Sequence, residues 1–318
     1  MTTVYFATNR LNDGTGTFGY GAKIAPYNVN DITFAVADVT GISLSDEESG
    51  TITSISNKTA SNFSSSARQG IIDAKRNLFI FIHGFDNSFE DAIKRTAFNR
   101  EWFADSGNPA ADMTAIAFTW PSAGKLFAAP PHTPPDAYRT DQAQAAKSAF
   151  HLAYFLRVID QLRSDYRAAN PNGRMVLLAH SMGNYALAGA VQLWFTSQDP
   201  NDLLFDEVFL PAADEIYNSF LMPSGGRLSD LPTLASRISI YYSRKDVAMY
   251  LSTTLNLNMR LGFDGPSDKS NTGSYPTTKF RIIDCTEIND FNPLDPPDAT
   301  HQYYRRSKIV RKDIVSVI

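Results

Sequence analysis

A serine between a short apolar run and a helix-like segment constrains the fold more than any other feature. Residues 175–179 read MVLLA, and a strong turn signal, Asn-Pro-Asn-Gly, precedes them. Such a run is typical of a buried strand in a parallel sheet. The residues HSMG follow, with Ser181 second, and a helical pattern then extends to about residue 195. The arrangement predicts a nucleophile elbow, G-x-S-x-G, with Ala179 at the first glycine position.

The small residues on both sides of Ser181 have a physical reason. A nucleophile elbow lifts the serine hydroxyl clear of the sheet on a very tight turn. Side chains larger than those of Ala179 and Gly183 would collide with the neighbouring strand and helix. The helix that follows offers free N–H groups and a partial positive charge to a developing oxyanion.

Composition excludes several classes of protein. The chain has 318 residues, a net charge of −4 and no basic block, so we expect no nucleic-acid partner. No apolar stretch is long enough to span a membrane, and no signal peptide is visible at the N-terminus. Cys285 is the single cysteine, so no intrachain disulfide can form. These features favour a cytoplasmic location, although secretion by a non-Sec route stays open. The sequence makes no prediction of oligomeric state.

Strands alternate with helices from about residue 65 onward. This alternation predicts an α/β fold with a mostly parallel central sheet and helices on both faces. Residues 1–64 have the pattern of antiparallel strands and loops added to one edge of the sheet. We interpret residues 1–318 as a single domain.

A serine nucleophile needs a general base, and in this architecture the partners follow it in the order acid, then histidine. His301 is the only histidine beyond Ser181 in the sequence. It also follows the last predicted strand, from which a loop could bring it over the elbow. If the elbow interpretation holds, His301 is therefore the base by elimination.

Two aspartates are candidates for the acid that orients the base. Asp246 and Asp214 both come directly after predicted strands, where open α/β sheets place their sites. Asp246 follows the strand before the last one, which is the usual position of the acid, and we favour it. Each residue has a structural alternative, because either could cap a helix.

The oxyanion would need two N–H donors. We predict that Met182, the residue after the nucleophile, supplies one of them. Phe85, in the loop that follows an earlier strand, would supply the other. His83 and His180 are expected to support this loop and the elbow rather than to act as the base.

The proline-rich segment 125–139 is predicted to be a loop that overhangs the site. Its two Pro-Pro pairs exclude a regular helix or central strand between 126 and 138. Leu126, Phe127 and Tyr138 could line an acyl pocket there, or the segment could be an ordinary surface excursion.

The sequence indicates neither a metal nor an organic cofactor. It contains no H-E-x-x-H pattern, and its histidines do not cluster at the spacing of metal ligands. G-x-G-x-x-G and Walker motifs are also absent.

Seven segments, in order along nearly the whole chain, resemble the DUF900 family, a bacterial branch of the α/β-hydrolase superfamily that is often described as esterase- or lipase-like. They are FATNR, FIHGFDNSFEDA, FTWPSAG, AHSMGN, YYSRKDVAMYLS, RLG and HQYY. The resemblance implies an α/β-hydrolase fold and a triad of Ser181, Asp246 and His301. The family usually has alanine-proline-aspartate after the elbow helix, whereas this chain has PAAD at 211–214. This departure leaves the role of Asp214 open.

The residues and the resemblance together predict a serine carboxylesterase that cleaves a small-molecule or lipid ester through an acyl-enzyme. Two alternatives stay open. The same triad could transfer an acyl group to an alcohol or amine, or the scaffold could serve as a non-catalytic binding protein. The sequence does not indicate which ester or acyl length is used.

Overall fold

A nine-stranded sheet forms the centre of the molecule. The computed structural model describes residues 1–122, 134–197, 203–221, 226–291 and 300–318. The strands lie in the order β11-β10-β9-β8-β6-β7-β1-β4-β5, and β2 and β3 form a separate two-stranded ribbon. The strands are β1 (Thr2–Thr8), β2 (Arg10–Asn12), β3 (Tyr20–Ile24), β4 (Thr33–Thr40), β5 (Thr51–Ala60), β6 (Leu78–Ile82), β7 (Thr114–Thr119), β8 (Met175–Ala179), β9 (Phe205–Pro211), β10 (Ala235–Tyr242) and β11 (Phe280–Asp284).

Most of the sheet is parallel, as the alternating pattern predicts. Strands β6, β7, β8, β9, β10 and β11 all run in one direction. Strand β1 is parallel to β7 and antiparallel to β4, and β5 extends the antiparallel edge. The N-terminal residues therefore supply the antiparallel strands, and β1 joins them to the parallel part. The assignment of the whole chain to one domain stays a prediction.

Two hydrophobic cores cover the two faces of the sheet. The described helices are α1 (Ser65–Asp73), α2 (Phe89–Ala104), α3 (Pro134–Ala169), α4 (Gly183–Ser197), α5 (Leu231–Leu234), α6 (Val247–Asn256), α7 (Leu261–Asp264), α8 (Tyr303–Arg306) and α9 (Lys308–Val315). Helices α1, α3 and α4 pack on one face, and α2, α8 and α9 pack on the other. Strand β6 reads LFIFI and is buried throughout, because Ile80 faces the first core while Phe79 and Phe81 face the second.

Helix α2 begins with a capping box at Ser88. Ser88 accepts a hydrogen bond from Asp91 N, and the Asp91 side chain accepts one from Ser88 N. This capping box satisfies two N–H groups that would otherwise lack a partner at the start of the helix. The helix therefore begins directly after the loop at the end of β6, and it fixes one end of that loop.

The prediction that no regular helix forms between 126 and 138 is wrong for the residues after 133. Helix α3 begins at Pro134, so Tyr138 lies near the start of a helix rather than in a loop. Proline is excluded from the interior of a helix, but the first turn tolerates it because the N–H groups there have no intrahelical partner. The part of the proline-rich segment at 125–133, with Leu126 and Phe127, lies outside the described residues.

The carboxyl ends of the parallel strands carry the candidate site. The loops after β6 and β8 and the segment after β10 meet at this edge, which is where open α/β sheets place ligands. None of the helices in the described ranges is both long and apolar enough to cross a membrane.

Candidate active site

Ser181 lies on a strained turn between β8 and α4. Its φ is 53°, which is uncommon for a residue with a side chain. Gly183 begins α4, and a Cβ atom there would lie 2.6 Å from His83 O and 2.7 Å from Ile82 O. The turn therefore has the backbone geometry and the tight packing that a nucleophile elbow requires.

Replacing Gly183 with alanine is expected to lower the free energy of unfolding by about 1–3 kcal/mol, the usual cost of overpacking. The atoms that a Cβ would meet belong to the backbone after β6, so they cannot move aside at low cost. Urea unfolding measures the change. The matched control is Gly273→Ala, because Gly273 is exposed and the nearest atom to a Cβ there would be the Asn271 side-chain oxygen at 3.1 Å. Equal stability of the two variants would contradict this account of the turn.

The segment after β9 supports the elbow through its backbone. Ser181 N donates to Pro211 O at 3.3 Å, and Asp214 N donates to Ser181 O at 3.1 Å. The segment PAAD at 211–214 therefore binds both the N–H and the carbonyl oxygen of Ser181. Only the second contact needs an N–H from this segment, at position 214, so neither contact requires the proline at 211.

Asp246 and His301 are joined by a direct contact, with 2.7 Å between Asp246 Oδ2 and His301 Nδ1. Asp246 is fully buried, and His301 is only 8 % exposed. The other carboxylate oxygen of Asp246 accepts a hydrogen bond from Met249 N at 2.9 Å and caps α6. The capping role and the contact with His301 are therefore compatible, because each uses a different oxygen.

Asp214, the other candidate acid, has different partners. Its Oδ2 accepts a hydrogen bond from Tyr138 Oη at 2.8 Å, and its Oδ1 accepts one from Ser252 Oγ. Arg260 Nε lies 3.3 Å from the same Oδ1. The two carboxylate oxygens are thus engaged by a buried network, which identifies a structural role for the aspartate that the sequence left open.

Both predicted oxyanion donors lie next to the elbow, since Met182 follows Ser181 and Phe85 follows Gly84. Neither Phe85 N nor Met182 N donates a hydrogen bond to any residue that the structure describes. Gly84 passes so close to the elbow that a Cβ atom there would lie 2.8 Å from Ser181 Cβ. Close approach of the two backbones is therefore the reason for glycine at position 84.

One cavity is lined by Ser181, His301 and Phe85. Its volume is about 120 Å³. Tyr138 also lines this cavity, whereas Leu126 and Phe127 lie outside the described residues. The described residues that line it are Phe85, Asp86, Asn87, Arg95, Tyr138, His180, Ser181, Asp214, Ala248, Met249, Leu251, His301 and Gln302.

Comparison with protein-family models matches residues 59–315 to a family described as an alpha/beta hydrolase of unknown function, DUF900. The chain belongs to the DUF900 family. Comparison with curated proteins gives no match. The family and the topology together show a hydrolase scaffold with an α/β-hydrolase fold. Among the described residues of this DUF900 protein, no group of three or more His, Cys, Asp or Glu side chains could hold a metal ion.

His83 is a structural residue of the DUF900 site. Trp120 N donates to His83 Nε2 at 3.0 Å, so the ring proton is on Nδ1, which donates to Gly84 O at 2.9 Å. Burial lowers the pKa of His83 to about 3. The neutral ring therefore connects the end of β7 to the loop after β6.

His180 contacts both the main chain and the ring of His301. Its Nε2 donates to His301 O at 3.1 Å, and the two ring centroids are 4.7 Å apart. Burial, together with the positive charge that His301 and Arg305 can carry, lowers the pKa of His180 well below its ordinary value. A neutral His180 fixes the backbone of His301 without adding a charge beside it.

Lowering the pH from 7 to 5 is expected to destabilise the protein, and His83 should account for about 2 kcal/mol of the loss. The folded ring stays neutral because its pKa is about 3, whereas the unfolded ring gains a proton below about pH 6.5. The unfolded state therefore binds more protons in this window. The free energy of unfolding falls as the pH is lowered. Urea unfolding at pH 7 and pH 5 should show a smaller fall for His83→Gln than for wild type. Equal falls would mean that His83 is not held neutral.

Several residues that position the site were not found from the sequence. Tyr303 Oη donates to Tyr241 O at 2.9 Å and accepts a hydrogen bond from Ala212 N at 2.7 Å, so it joins three segments near the base. Arg10 is 1 % exposed and donates to the backbone carbonyls of Gly21 in β3 and of Asn87 and Ser122 in two loops. Both residues lie within segments that carry the resemblance, HQYY and FATNR. Their position within these segments was a signal in the sequence that could have identified them.

Proposed function

We propose that this protein is a serine carboxylesterase that uses Ser181, His301 and Asp246 as a triad. The observation that carries the proposal is the contact between His301 Nδ1 and Asp246 Oδ2 at 2.7 Å, because His301 lines the same cavity as Ser181 on its strained turn. A carboxylate at Nδ1 orients the imidazole so that Nε2 serves as the base. The hydrolase scaffold of the family agrees with this chemistry.

The reaction would proceed through an acyl-enzyme. Ser181 Oγ attacks the ester carbonyl while His301 Nε2 takes the hydroxyl proton, and a bond from Oγ to the carbonyl carbon forms. The N–H groups of Phe85 and Met182 stabilise the oxyanion. The tetrahedral intermediate collapses, the C–O bond to the alcohol breaks, and His301 returns the proton to the departing alcohol. Water, deprotonated by His301, then attacks the acyl-enzyme, and the acid is released with Ser181 restored.

Hydrolysis of p-nitrophenyl esters from acetate to palmitate, with Ser181→Ala as the blank, tests this proposal. We expect serine-dependent turnover that is highest with short acyl chains. The cavity has a volume of only about 120 Å³, which leaves little room for a long acyl chain. Turnover of equal size in the Ser181→Ala variant would overturn the proposed nucleophile. A maximum at long chains would contradict the short-chain preference alone.

A further inference from the structure

The Asn87 side chain makes hydrogen bonds back to the loop that precedes it. We call residues 84–87 the oxyanion loop. Its amide nitrogen donates to Gly84 O at 3.1 Å and to Phe85 O at 2.7 Å. Its amide oxygen accepts a hydrogen bond from Arg95 Nη1 at 2.6 Å. An arginine N–H can only donate, so the atom that it contacts must be the amide oxygen. Arg95 therefore fixes the orientation of the amide and directs both of its N–H groups towards the loop carbonyls.

The main-chain N–H and carbonyl groups of Asn87 also make hydrogen bonds. Its N–H donates to Ser122 Oγ at 3.3 Å, and its carbonyl oxygen accepts from Arg10 Nη2 at 2.7 Å. Ser122 Oγ in turn donates to Asp141 Oδ2 at 2.6 Å. Asn87 is 2 % exposed, and every polar atom of this residue has a protein partner. Such a connected buried network restricts Asn87 to one position.

The carbonyl of Gly84 determines where the next N–H points. Gly84 O and Phe85 N belong to the same planar trans peptide unit, in which the C=O and N–H bonds point in opposite directions. Gly84 O is held twice, by Asn87 Nδ2 at 3.1 Å and by His83 Nδ1 at 2.9 Å. Phe85 N–H must then point away from Asn87 and His83, and it donates to no residue within the described ranges.

We propose that Asn87 is a positioning residue that aims Phe85 N–H at the oxyanion formed at Ser181. The inference rests on the proposed function, because it assigns a support to the donor proposed there. A second bond from Asn87, to Phe85 O, restrains the next peptide unit, where Asp86 has a φ of 56°. The loop is thereby set before substrate binds, and preorganised donors of this kind stabilise a transition state without reorganising.

The test compares Asn87→Asp with wild type in steady-state ester hydrolysis. Aspartate keeps an oxygen for Arg95 but loses both N–H donors and places a negative group against two carbonyls. We expect kcat to fall about 10- to 100-fold with little change in KM, because removal of a whole oxyanion donor costs about 10²–10³. The affinity for a trifluoromethyl ketone, which forms an oxyanion with the serine, should fall by a similar factor. The affinity for the product acid should change little, although Asn87 also lines the cavity.

Ser88→Ala is the matched control. Ser88 is adjacent in sequence and caps α2 through Asp91 N, so its loss loosens the same region without releasing Gly84 O. We expect wild-type kcat from this variant. If Asn87→Asp does not fold, Arg95→Met replaces it, because this change frees the amide to rotate and should also lower kcat selectively.

The outcomes separate this inference from the function on which it rests. A fall in kcat and in trifluoromethyl ketone affinity for Asn87→Asp, with Ser88→Ala unchanged, supports the positioning role. Wild-type kcat in Asn87→Asp, or equal losses of kcat in Asn87→Asp and Ser88→Ala, overturns that role. If Ser181→Ala is inactive in the same assay, the esterase proposal stays intact. Full activity of Ser181→Ala overturns the proposed function and this inference with it.

Discussion

The Ser181→Ala variant is expected to hydrolyse esters at least about 10⁴-fold more slowly than wild type, since loss of a triad nucleophile removes the covalent route. Alanine lacks the hydroxyl but fits the same turn, and Ser181 is only 4 % exposed. The folded structure should therefore persist. Steady-state hydrolysis of a short p-nitrophenyl ester measures the loss, and urea unfolding checks the fold.

A second buried serine provides the control for that result. Ser148 lies on α3, and its hydroxyl accepts a hydrogen bond from Asn9 Nδ2 at 2.9 Å. It is not among the residues that line the cavity. Ser148→Ala should keep wild-type kcat even if it lowers the free energy of unfolding. Retained activity in Ser181→Ala, or an equal loss in both variants, would show that Ser181 is not the nucleophile.

Asp246→Asn is expected to lower kcat by about 10⁴, because an amide at this position favours the wrong tautomer of the base. The change should affect stability little, since the asparagine oxygen can still accept the hydrogen bond from Met249 N that caps α6. Measurement of kcat together with the urea midpoint separates the two effects.

Asp214→Asn should lower stability strongly and kcat less, the opposite of Asp246→Asn. Asp214 and Arg260 are both almost fully buried, with 3.3 Å between Asp214 Oδ1 and Arg260 Nε. Removal of one charge of such a pair leaves the other uncompensated and costs about 3–5 kcal/mol. We expect a large loss of stability and a smaller loss of kcat per folded molecule. If Asp214→Asn loses kcat by about 10⁴ while Asp246→Asn does not, the assignment of the acid is wrong.

The sequence predicted those parts of the site that follow from local pattern and chain order. The elbow has a short-range signal, because a buried strand, a tight turn and a helix follow one another within 175–190. His301 followed from its position after the elbow, and the structure places it against Asp246. The wrong prediction concerned Pro134, where a rule for helix interiors was applied to what is the first turn of α3.

The supports of the site could not be predicted because they depend on contacts between distant residues. Arg10 and Asn87 are 77 positions apart, yet Arg10 Nη2 lies 2.7 Å from Asn87 O. The choice between Asp246 and Asp214 has the same origin. Both follow strands, and only the partners of each carboxylate oxygen distinguish the two residues.

The central claim is that Ser181 is an activated nucleophile. The most direct measurement is reaction of the folded protein with a fluorophosphonate, in which the serine oxygen bonds to phosphorus and fluoride leaves, followed by peptide mass spectrometry. The account predicts one adduct per chain, on the peptide that contains Ser181, with loss of ester hydrolysis in proportion to labelling. Labelling of Ser181 should be much slower in His301→Ala. Inhibition with the adduct on another residue, or an active protein whose Ser181 never reacts, would contradict the account.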